Sequence, residues 1–142
     1  MKAFHIQEAS FRLSDGWEDQ TINVFVKHRE PGRPFSLIVA RQKLEEGQTL
    51  AAFAEQNLGE QAEKLPRFKD LGKRARVIGG LEAIEARTSW VRENIPIYQY
   101  QVFTLYAGTL VALTMSGPLE DRAECEALMT QTLADIRFRK PE

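Results

Sequence analysis

The chain has 142 residues and a mass of 16.2 kDa, enough for one domain with a buried core. Nineteen Lys and Arg against twenty Asp and Glu leave a net charge of −1, so no basic excess points to nucleic acid or an anionic membrane surface. Hydrophobic residues make up 43% and charged residues 27%, and Cys125 is the only cysteine, which excludes a disulfide scaffold and an integral membrane protein.

The opening MKAFHIQEASFRL has no apolar core or small-residue cleavage site, and no secretory signal is read in it. Loose alternation over residues 3–13 predicts a broken edge strand, and Ser14-Asp15-Gly16 predicts a turn. Trp17, beside that turn, is expected to pack as a lid on the core. Thr21 to His28 reads as a strand, with Ile22, Val24 and Val26 on one face and Thr21, Asn23 and Phe25 on the other. After the Pro31-Gly32-Arg33-Pro34 turn, Phe35 to Gln42 is a second strand, apolar on both faces at its centre. Thr49 to Leu65 is the clearest helix, with Thr49 as N-cap and Pro66 as terminator. Leu50, Ala54, Leu58 and Ala62 form its apolar stripe. The adjacent row, Phe53, Asn57, Gln61 and Leu65, sets two uncharged amides between two apolar ends.

Gly79-Gly80 separates alternating runs over residues 68–78 and 81–92, a strong hairpin signal. The uncharged stretch Asn94–Pro118 reads as a second hairpin rather than a spanning helix, with its turn at Tyr106-Ala107-Gly108. A second helix is expected over Pro118–Ala134, with Leu119, Ala123, Ala127, Leu128 and Leu133 inward. Cys125 is expected to be a small semi-buried side chain. Residues 136–142 read as a charged tail. The order is strands, helix, four strands, helix: an α+β fold with an antiparallel sheet of six to seven strands and two main helices, one domain over residues 1–142.

That inventory does not balance. Six or seven strands at about 4.8 Å make a sheet roughly 30 Å wide. A helix covers about 10 Å of it, so two cannot cover both faces. Apolar area left open in this way usually marks a binding surface or an oligomer interface, unless sheet twist or loops cover it.

No catalytic chemistry is legible. His5 and His28 lie in strand patterns without a nucleophile elbow, and two histidines with one cysteine make no metal-ligand spacing. Gly79-Gly80 lacks the flanking pattern of a phosphate loop. Glu18-Asp19 and Glu45-Glu46 read as solvated turn charges. Lys73-Arg74-Ala75-Arg76 reads as a solvated edge, split across two faces by alternation.

Asp15-Gly16-Trp17-Glu18-Asp19-Gln20-Thr21-Ile22-Asn23-Val24-Phe25 resembles the opening motif of the effector-associated (Eag) chaperones of bacterial type VI secretion. The resemblance continues through Phe35-Ser36-Leu37-Ile38-Val39-Ala40-Arg41, Ala62-Glu63-Lys64-Leu65-Pro66-Arg67-Phe68, Gly80, Thr88-Ser89-Trp90 and Gln101-Val102-Phe103, in order over most of the chain. It implies a PsbP-like α/β sandwich, a homodimer, and a cytoplasmic, non-enzymatic chaperone. Such a protein needs no cofactor or metal, binds no nucleic acid and does not enter the membrane. Its partner is the N-terminal transmembrane segment of a secreted effector. Carried over by motif, the client-binding residues are Ile22, Val24, Ser36, Ile38, Ala40, Asn57, Gln61, Leu65 and Gln101. Alanine at position 40 lacks the hydroxyl often found there in the family.

The chemistry suits such a client. Burying a transmembrane helix against aliphatic side chains gains about 25 cal/mol per Å² of apolar area. Neutral amides can bond its small polar groups, whereas charges would be penalised by desolvation. An envelope protein or a small-ligand-binding protein of the same fold is the alternative expectation.

Overall fold

Gly79 and Gly80 both take positive φ, 52° and 83°, and the chain reverses there between two long strands. The computed structural model describes residues 1–140. Its elements are β1 (Lys2–His5), β2 (Ser10–Leu13), β3 (Asn23–Lys27), β4 (Phe35–Lys43), α1 (Leu50–Lys64), β5 (Lys69–Ile78), β6 (Leu81–Arg92), β7 (Ile95–Tyr106), β8 (Thr109–Pro118) and α2 (Arg122–Asp135). Strands β3 to β8 form one antiparallel sheet in the order β3-β4-β8-β7-β6-β5. Both expected glycine hairpins are present, and the strands–helix–four strands–helix order holds.

The sheet is covered by one helix per face. On one side α2 lies over β7 and β8. Its Cys125, Met129 and Leu133 pack with Phe35, Tyr98, Tyr100, Val102, Leu113 and Met115. On the other side α1 lies over β6 and β7, where Ala54 and Leu58 pack with Ala86, Phe103 and Leu110. The Thr49 hydroxyl accepts the Ala52 N–H at 3.0 Å and caps α1 as expected.

Several expectations are corrected. Residues 3–13 are not a broken edge strand of the main sheet. They form a separate two-stranded ladder, β1–β2, with Lys2 opposite Leu13. Trp17 is 62% exposed, its indole N–H donating to Ser14 Oγ at 3.2 Å, and lids nothing. A 3₁₀ turn at Leu119–Asp121 precedes α2 and shifts its phase, so Cys125, Met129 and Leu133 face inward while Ala123 and Ala127 face out. The C-terminal segment is also packed. Ile136 and Phe138 join the core, and Phe138 stacks on Tyr106 at 5.6 Å. Pro141 and Glu142 of the expected tail lie outside the described residues.

Candidate functional site

Strand alternation sorts the even residues of β3, β4 and β8 onto the side of α1. Cross-strand pairs fix their rows: Val24 opposite Ile38, Ile38 opposite Thr114, and Thr114 opposite Gln101. The next rows carry Val26, Ser36, Ser116 and Gln99 on one side and Ala40, Ala112 and Phe103 on the other. Since α1 sits over β6 and β7 and meets β8 at the Leu110 end, the rest of the half made by β3, β4 and β8 is left open. Val24 is 59% exposed, Val26 48% and Ile38 38%; Ser36, Ala40, Thr114 and Ser116 are half-buried. None of these floor positions carries a charge. Ile22, immediately before β3, keeps the same parity and is 61% exposed.

α1 runs along the strands rather than across them. Phe53 meets Phe103 edge to face with centroids 5.7 Å apart, Gln61 meets Gln101, and the Pro66 carbonyl accepts the Val91 N–H at 2.9 Å beside the start of β7. The row Phe53, Asn57, Gln61 and Leu65 is therefore the flank of α1 next to the open half, and all four are half-buried. It makes a wall. The β3–β4–β8 floor is two strand spacings wide, about 10 Å, close to the diameter of a helix.

The amides are not all alike. Gln101 is 2% exposed and lies beneath α1, not on the open floor. Its carboxamide N–H₂ donates to Gln61 Oε1 at 3.0 Å and Thr88 Oγ1 at 3.1 Å, and its oxygen accepts from Gln61 Nε2 at 2.9 Å. Its donors are spent on the protein itself, which makes it a residue that positions Gln61. Asn57 lines a cavity of 180 Å³ with Gln42, Lys43, Glu45 and Glu60, so that end of the face has a charged rim. At the other end, Val26, Ser36, Ile95, Ile97 and Ser116 line a cavity of 330 Å³ with Arg33, Arg92 and Glu93 at its mouth.

Sequence reasoning missed the polar network on the α2 side. Glu85 is 1% exposed. Arg74 Nε and the Tyr100 hydroxyl donate to it, Arg76 reaches it at 3.0 Å and Arg87 at 3.7 Å. Burial opposes its charge, but the Tyr100, Arg76 and Arg74 bonds prevail and hold its carboxyl below the usual range. Arg87 also lies 4.8 Å over the Tyr100 ring and 3.5 Å from Glu126, which accepts the Tyr98 hydroxyl at 2.6 Å. Arg74 and Arg76 are thus ion-pair partners, not a solvated edge. The sequence signal was a glutamate inside an alternating strand, opposite a run of arginines across a glycine hairpin. Among the described residues, no group of three His, Cys, Asp or Glu could hold a metal, and no helix is long and apolar enough to cross a membrane.

An antiparallel sheet with one helix on each face, and an uncovered apolar half beside the first, is an α+β sandwich of the PsbP-like kind. The chain belongs to the DcrB family, whose model matches residues 8–135. It is 30% identical over 138 residues to Effector EagT6 of Pseudomonas aeruginosa, covering 96% of this chain and 95% of that protein. The expected kinship with the effector-associated Eag proteins is borne out. The fold is shared with the crystal structure of a Pseudomonas aeruginosa protein of unknown function (TM-score 0.86, 24% identity, 99% of each chain). It is shared also with LpqN of Mycobacterium tuberculosis, involved in cell envelope biogenesis (0.58, 13%, 84% of each), and with cyanobacterial PsbP from Synechocystis (0.53, 10%, 86% of this chain and 94% of that one).

Proposed function

We propose that this protein is a cytoplasmic, non-enzymatic chaperone that shields an N-terminal transmembrane helix of a type VI secretion effector before export. The observation that carries this reading is the uncharged open half-face of Val24, Val26, Ser36, Ile38 and Ala40 walled by the α1 flank. It has the width of one helix, and along β4 from Ser36 to Gln42 it runs about 20 Å. A client helix lying there takes the place of a third helix on the sheet, parallel to the strands as α1 is. A spanning helix is about 30 Å long, so one such face leaves part of it wet. A homodimer offering two faces meets the need. The free edge of β3, apolar on both sides through Val24, Phe25 and Val26, is where a second copy would join.

Kinship with Effector EagT6 favours an effector as the partner. The second reading, a small amphiphilic ligand, draws on the 330 Å³ cavity at the end of the face, within the size range of ligand sites. Co-expression with an apolar N-terminal effector segment separates the two. The chaperone reading expects a soluble complex that Ile38→Glu weakens about tenfold or more. A wild-type protein that leaves the segment insoluble, and carries a small molecule by native mass spectrometry, would favour the second.

A further inference from the structure

The two edges of the six-stranded sheet are built differently. β3 ends the sheet with valines and a phenylalanine, β5 with Lys69, Lys73, Arg74 and Arg76. Because α2 lies over β7 and β8, the half-face behind β5 is floored by guanidinium groups instead of helix. Arg74, Arg76 and Arg87, with Arg122 at the margin, meet two carboxylates, Glu85 and Glu126. Two positive charges are left over on a chain whose net charge is −1. Arg74 is bonded through Nε alone, and its side chain is 65% exposed, so its terminal nitrogens are open to a further partner. Arg76 Nε is buried without an acceptor.

We propose that β5 takes a short, extended, acidic segment of a partner protein as a seventh strand, with a carboxylate seated on Arg74. Among the described residues β5 is paired in the sheet only with β6, which leaves its outer backbone row open from Lys73 to Ile78; before that the ladder is interrupted between Asp70 and Gly72, where the Gly72 N–H donates to Asp70. Basic side chains on such an edge repel most strands. An acidic strand is the kind that they attract, because Arg74, bonded only through Nε, can grip a carboxylate with its two terminal nitrogens, while Arg76, whose Nη1 serves Glu85 and Tyr100, adds positive charge beside it. Alternation places Arg74 and Arg76 on one face of the added strand and Ala75 and the 63% exposed Val77 on the other. An alternating acidic–apolar segment fits both. Two surplus charges are too few for nucleic acid, which engages about six or more phosphates, or for an anionic membrane, which needs about four or more basic residues. This inference is independent of the open apolar face.

The test is fluorescence anisotropy of the full-length protein with a labelled peptide of alternating Glu and Val, about eight residues long. Saturable binding is expected, weakened about tenfold in Arg74→Gln and several-fold in Lys73→Gln, each read beside its melting curve because Arg74 donates to Glu85 and Lys73 pairs with Glu55 at 3.8 Å. Methylating alternate peptide nitrogens should weaken binding to a similar extent. The proposal is overturned if no saturable binding occurs, or if either folded variant or the methylated peptide binds as the parent does. Equal or tighter binding of duplex DNA or phosphatidylserine vesicles would overturn it as well.

Discussion

Gln61 of α1 and Gln101 of β7 pair their amides head to tail, at 2.9 and 3.0 Å, across the junction between the first helix and the sheet. One partner is buried and spent; the other stands at the border of the open face with an N–H to spare. The pair therefore fixes the wall to the sheet beside the open floor.

Removing either amide should cost stability first. Gln101→Ala leaves Gln61 and Thr88 without their partner and is expected to destabilise by about 1–3 kcal/mol. Gln61→Ala should cost less, since Gln61 is half-buried. The double variant should cost less than the sum, because the two share one interaction. Urea unfolding of the four proteins measures this coupling.

The open face should behave in the opposite way. Val24→Glu and Ile38→Glu place a charge on exposed positions, so stability should move by no more than about 0.5 kcal/mol. Capture of an apolar helix should fall about tenfold or more in each, because the carboxylate must be desolvated. Pull-down of a co-expressed segment, paired with melting curves, separates lost binding from lost folding.

Acid should weaken the protein through Glu85 and Glu126. Both carboxyls titrate below their usual range when folded, Glu85 because its Tyr100 and arginine bonds outweigh burial, Glu126 chiefly through its Tyr98 bond. A depressed folded pKa gives stability that is present above the unfolded carboxylate range and lost as pH falls through the folded value. Urea midpoints should therefore drop from neutral pH into the acid range. Glu85→Gln should flatten that dependence and cost about 3 kcal/mol or more at pH 7, because three arginines lose a buried counter-ion.

Cys125 should be inert in the native protein. Burial, with Glu126 and Glu124 nearby, pushes its thiol up to about 12, so almost no thiolate exists at pH 8. A thiol reagent should label it only after urea unfolding; rapid labelling without denaturant would show that α2 opens.

The elements most legible in the sequence were those set by local chemistry. Gly79-Gly80, the Thr49 cap and the alternation of Val24 with Phe25 each act within a few residues, and each is present. The shortage of helix cover was also legible, since it follows from strand and helix widths alone. What escaped depended on register or phase. Glu85 becomes the partner of Arg74 only once β5 and β6 are aligned. The 3₁₀ turn before α2 moved its buried stripe from Ala123 and Ala127 to Cys125 and Met129, while Leu119, Leu128 and Leu133 pack inward as expected. Gln101 looked like a neutral group on an apolar strand; only the seat of α1 directly over it shows that its bonds are already made. The tail read as charged because Arg137, Arg139 and Lys140 mask the alternation of Ile136 and Phe138.

Val24 and Phe25 are neighbours in β3, 59% and 58% exposed, and they point to opposite faces of the sheet. A photoreactive residue placed at one or the other, in protein co-expressed with an apolar effector segment, reports which face holds the segment. Cross-linking to the segment is expected from position 24 and not from position 25. Equal yields from both, or a yield from 25 alone, would contradict a helix seated between α1 and β3.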